Sequence, residues 1–142
     1  MSMARARVIP STLLLAMLLA VPRLLDAQPT NPLLETLATQ LGISTTQAGR
    51  GVGAVLAMAR GFLTEQDYRV IAAAVPDADQ LAKAAAEQGV VTRPIDDKDD
   101  LAAVFDRIGI PADAAAKFVP VMRTWLVDQG APDAGDLVAR VM

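Results

Sequence analysis

Glycine punctuates this chain. Gly42, Gly89, Gly109 and Gly130 each follow a stretch in which apolar residues recur at helical spacing, and glycine there is a helix stop. Proline supplies the complementary signal: Pro32 and Pro111 stand where helices begin, Pro76 and Pro94 where they cannot continue. The first helix starts at Pro32 behind an Asn31 cap and aligns Leu33, Leu34, Leu37 and Leu41 on one face. The second runs from Ser44 or Thr45 to about Leu63, with Gln47 three residues after Ser44 in capping-box spacing. Its apolar stripe is Val52, Val55, Leu56, Ala59 and Leu63. A second stripe, Gly49, Gly53, Ala57 and Gly61, is small throughout and lets another helix approach closely.

Thr64 caps a third helix that is expected to bury Tyr68, Val70, Ile71, Ala74 and Val75 before Pro76 stops it. Asp77 opens a short fourth helix through Gln88, and residues 90–97 form a loop. Asp96 to Asp100 open a fifth that carries Leu101, Val104, Phe105 and Ile108. The sixth runs from Pro111 to Gln129 with Phe118, Val119, Met122, Trp125 and Leu126 inward, and Pro120 is expected to kink it. Asp133 to Val141 form the last, with Leu137, Val138 and Val141 apolar. Composition agrees: 53% of residues are hydrophobic but only 4% aromatic, so the core must be built mainly from Ala, Leu, Val and Met. The expected fold is all-α, a compact bundle of about six to seven helices in a single domain over residues 32–142.

Residues 1–27 read as a secretory signal peptide. Arg5 and Arg7 precede an apolar run, Leu13 to Val21, which Pro22 breaks, and cleavage is expected after Ala27. Residues 28–31 are a short polar tail. The expected location is periplasmic or secreted, and the alternative is an uncleaved inner-membrane anchor. Losing Arg5, Arg7 and Arg23 from 13 basic residues and Asp26 from 16 acidic ones leaves 10 and 15, a net charge of −5. An acidic chain has no electrostatic footprint for nucleic acid.

The chain also matches itself at an offset of 67 residues, the distance from Leu41 to Ile108. Leu41-Gly42-Ile43-Ser44 falls on Ile108-Gly109-Ile110-Pro111, Val52 on Val119, Met58 on Trp125, and Ile71 on Val138. Gly53 falls on Pro120. The pattern predicts two helical units, residues 41–75 and 108–142, related by a pseudo-two-fold axis.

There is no Cys and no His, which removes thiolate chemistry, the commonest general base and the commonest zinc ligand. Gly49-Arg50-Gly51-Val52-Gly53 lacks the dinucleotide spacing and a preceding strand, so it reads as packing. Asp96-Asp97-Lys98-Asp99-Asp100 lacks the full calcium-loop spacing and reads as capping. Asp77 and Asp79, and Asp133 and Asp136, stand at helix starts where Asp is ordinary. Lys83 and Lys117 read as solvated, Trp125 as core. No catalytic, cofactor-binding or metal-binding residue is assigned, and no cofactor.

Two stretches resemble a known family. One is Leu41 to Leu63, with Leu-Gly-Ile-Ser, Gln-Ala and Gly-x-Gly-Ala-x-Leu pieces, extended by Val75-Pro76. The other is Ile108-Gly109-Ile110, then Lys117-Phe118-Val119-Pro120-Val121 and the Gly130 turn. Together they resemble the VcgC/VcgE family of small proteobacterial proteins over most of residues 33–142. The chain departs from that pattern at Val90 to Asp100, where the family is glycine-richer, and at the bulky Arg123 and Trp125. The resemblance implies a helical, exported bacterial protein and no reaction. The expected function is a non-catalytic periplasmic structural or protein-interaction module, engaging a protein partner or a second copy through the small-residue helix face. The alternative is a carrier of an apolar ligand or lipid between helices, and an enzyme relying on carboxylates ranks last.

Overall fold

A computed structural model describes residues 31–142. Residues 1–30, which include the expected signal peptide and residues 28–30 of the expected polar tail, lie outside the described residues. Among the described residues seven helices follow one another: α1 Pro32–Leu41, α2 Thr45–Phe62, α3 Glu65–Ala74, α4 Ala78–Glu87, α5 Lys98–Ile108, α6 Ala112–Asp128 and α7 Pro132–Val141. No strand occurs among the described residues.

The helix ends follow local chemistry. The Asn31 side chain accepts from the backbone N–H of Leu33 at 3.0 Å and of Leu34 at 3.4 Å, which serves two donors the first turn of α1 cannot pair internally. Its own amide donates to the Pro76 carbonyl at 2.8 Å and so ties the start of α1 to the end of α3. At α2 both capping-box bonds form: the Gln47 N–H donates to Ser44 Oγ at 3.0 Å, and the Ser44 N–H donates to Gln47 Oε1 at 2.9 Å. The Gln47 amide reaches on to the Gly109 carbonyl at 3.0 Å, joining the α2 cap to the α5 stop. Gly42, Gly89, Gly109 and Gly130 all lie at positive φ, between 66° and 89°, a region other residues rarely enter.

Asp77 opens α4 as expected, standing at its N-cap with φ 58° and no side-chain cap bond. One expectation is corrected. Val70 is 39% exposed, since the inner face of α3 is taken by Tyr68 and Ile71. α6 continues unbroken across Pro120, which lies on its exposed face.

The core is continuous. Leu33 and Leu37 of α1, Val52, Leu56 and Met58 of α2, Ile71 of α3, Leu101 and Phe105 of α5, Phe118, Met122 and Leu126 of α6, and Val138 of α7 are buried together. α2 is central, touching α1, α3, α4, α5 and α7. No buried polar or charged residue other than the tyrosine considered below is found among the described residues. Burial of this kind stabilises at roughly 25 cal/mol per Å² of apolar surface.

At an offset of 67 residues the first residues of α2 and α3 fall on the first residues of α6 and α7, and the last residues of α1 and α3 on those of α5 and α7. α4 falls on no helix of the described residues. Gly51 and Phe118, 67 residues apart, meet in the core: a Cβ on Gly51 would lie 2.6 Å from the Phe118 ring.

Candidate binding groove

Two clefts stand out. The first is an apolar groove of about 310 Å³, open to solvent, between α5 and α6. Leu101, Ala102 and Phe105 form one wall, Ala112, Ala115 and Ala116 the other, with Ile110 in the turn between them and Met142 at the margin. The walls are smooth because α6 opens with Ala112, Ala114, Ala115 and Ala116, and alanine holds a helix while leaving its surface low. Its floor is fixed by Phe105, whose ring packs against Phe118 with centroids 4.9 Å apart. Lys98 and Asp106 are its charged margins. A surface of this kind can take up apolar side chains or an aliphatic chain; it has no convergent polar groups to position a reacting atom.

The second is a polar cleft of about 560 Å³ lined by Arg60, Leu63, Glu65, Tyr68, Arg69, Ala72 and Asp79. Tyr68 is buried, and its hydroxyl has no hydrogen-bond partner among the described residues. Burial pushes its phenol above the ordinary 10.0, opposed by the Arg60 guanidinium and reinforced by Asp79. Arg60 lies 5.2 Å from the ring centroid, within reach of a cation–π attraction. Arg69 is held at 2.6 Å by Glu65 in an exposed pair one helical turn apart. A neutral phenol beside solvated charges is a weak acid and a weak nucleophile.

The residues singled out from sequence take ordinary structural roles. Gly49, Gly51 and Gly53 lie within the first half of α2, with Gly51 against Phe118 and Gly53 against the Leu81 carbonyl, 2.6 Å from where a Cβ would stand. The small-residue face is therefore occupied by α4 at Gly49 and Gly53, while Gly61 meets nothing within 4 Å. Asp97 caps α5 by accepting from the Asp100 N–H at 2.8 Å, and Asp100 pairs with Arg93 at 2.8 Å. Asp136 pairs with Arg123 at 2.9 Å, and Lys83 with Glu87 at 3.7 Å. Lys117 is exposed, and Trp125 is in the core. No group of three metal-ligating side chains converges among the described residues. No described helix is long and apolar enough to cross a membrane.

The groove was not visible in the sequence. Each of its residues reads as part of a core stripe, and they stand open because no helix of the described residues lies across α5 and α6. The lone hydroxyl of Tyr68 was equally hidden, since pairing of a polar atom depends on neighbours distant in sequence.

A family model described as "protein of unknown function VcgC/VcgE (DUF2780)" matches residues 20–141. No curated protein and no solved structure matches the chain.

Proposed function

The chain belongs to the VcgC/VcgE family, whose function is unknown, and on that premise we propose that it is an exported, non-catalytic protein-interaction module. The observation that carries this reading is the open apolar groove between α5 and α6. A contiguous apolar groove is one form in which a folded chain presents a surface to a partner. The signal-peptide pattern of residues 1–27 supports export, and the absence of His and Cys from the sequence supports a role without catalysis.

A second reading, a carrier of an aliphatic ligand, is favoured by the same groove, whose volume of about 310 Å³ stands at the lower end for small-molecule sites. Native mass spectrometry of protein recovered from a periplasmic extract separates the two. A mass matching Gln28 to Met142 with a second protein or a second copy attached supports the interaction module. A small bound mass on a cleaved monomer supports the carrier. A cleaved monomer without any passenger overturns both.

A further inference from the structure

Among the described residues, α4 covers a surface of α2 whose counterpart 67 residues on, along α6, is open. In the first half, α4 lies along α2: Leu81 rests over Gly49 beside Leu34 of α1, and Ala85 stands over Gly53. Adding 67 to the residues beneath it gives Leu101 for Leu34, Ala112 for Thr45 and Ala116 for Gly49. Those three line the open groove. α4 follows α3 directly, whereas no described helix follows α7.

We propose that the groove between α5 and α6 is the seat of a short amphipathic helix supplied by a partner protein, docked as α4 docks on α2 beside Leu34 of α1. The proposal rests on the interaction-module reading and adds the class of partner. Two features define what fits. At the α4 seat, Arg50 Nε donates to Gln88 Oε1 at 3.1 Å, placing a cation at the C-terminal end of α4, the negative end of its dipole. The residue 67 further on is Lys117, exposed and cationic, so the partner helix would place its C-terminal end near it. The second feature is Pro120, which replaces Gly53. Gly53 lets the Leu81 carbonyl come within 2.6 Å of a Cβ position, and a proline ring forbids that approach. The partner helix therefore stands further out and must fill the groove with branched side chains one turn apart, where α4 needs a leucine and an alanine.

The test is a fluorescence-anisotropy titration of the full chain against a labelled synthetic peptide carrying residues 77–89 with Ala85→Leu. The substitution suits the groove and disfavours displacement of α4, because Ala85 Cβ already stands 2.7 Å from a Cβ position on Gly53. Saturable binding is expected, weakened about tenfold or more by Ala116→Trp, which fills the groove from an exposed position, and several-fold by Lys117→Glu. Gln66→Trp, equally bulky and exposed on α3, should leave it unchanged. Absence of saturable binding, or binding indifferent to both groove substitutions, overturns the proposal. If a protein partner is still seen by native mass spectrometry in that event, the module reading stands and only the groove assignment falls.

Discussion

The helices α1 to α3 and α5 to α7 keep step along the chain, yet at three equivalent places they hold side chains of very different bulk. Gly51 faces its own counterpart Phe118; Gly53 corresponds to Pro120; Tyr68 corresponds to Gly135. Each exchange changes what can lie alongside. Glycine at 53 admits α4 to backbone contact, and proline at 120 stays bare. Gly135 lets α7 lie along α6, with a Cβ position only 3.2 Å from the Arg123 carbonyl, whereas Tyr68 stands between α3 and its neighbours, and α3 meets α2 only briefly. The seat on α2 is thus covered by α4, while the corresponding stretch of α6 is open among the described residues.

The largest effect is expected where the halves meet. Phe118→Ala should cost about 3–5 kcal/mol, because the ring is fully buried and Gly51 opposite has no side chain to close the space. Gly51→Ala alone should also destabilise, since its methyl would press on that ring. Combined with Phe118→Ala it should cost far less than the sum, a coupling that denaturant titration of the four proteins would reveal. Additive effects would mean that the two positions are not in contact.

Next in size is the contrast between 53 and 120. Gly53→Ala should destabilise by about 1–3 kcal/mol, since the atom it meets is a backbone oxygen that cannot rotate away. Pro120→Ala should instead stabilise by about 1 kcal/mol, because it restores a helical N–H donor on an exposed face. If both substitutions moved the denaturation midpoint the same way, the covered and open faces would not differ as described.

Helix boundaries were legible in the sequence because they are set by short-range chemistry: Asn31, Ser44 and Thr64 cap, and Gly42, Gly109 and Gly130 stop, within a few residues of one another. The offset of 67 rests on the same short-range signals, since Leu-Gly-Ile and Ile-Gly-Ile are both such stops. What covers what was not legible. Val70 and Leu137 are equivalent and equally apolar, yet Val70 is exposed and Leu137 buried, because packing depends on elements elsewhere in the chain. The groove is the same case: its alanines look like any inner face until one sees that α4 lies over the other half. Gly61 makes the same point within the small-residue stripe. It shares the spacing of Gly49 and Gly53 but has no neighbour, so Gly61→Ala should stabilise by about 0.5–1 kcal/mol, read as a higher denaturation midpoint.

The smallest effect is expected at Tyr68, where the first half buries a large ring and its counterpart has none. The ring fills space between α3 and its neighbours, but the hydroxyl is bonded to no described residue. Tyr68→Phe should therefore change stability by less than about 0.5 kcal/mol at neutral pH, where a paired buried hydroxyl would cost about 1 kcal/mol or more to lose. At alkaline pH the two proteins should diverge. Burial raises the phenol above 10.0 in the folded chain, so the unfolded chain gives up this proton first. The stabilising contribution is fully present below pH 10 and is lost as pH rises through the folded value, and Tyr68→Phe removes that dependence. Tyr68 is the only tyrosine, so its ionisation can be followed by absorbance without interference from another phenol. A titration at or below the ordinary value, or a loss of 1 kcal/mol or more in Tyr68→Phe at neutral pH, would show that the hydroxyl has found a partner, and the polar cleft beside Arg60 and Asp79 would then be a bonded site.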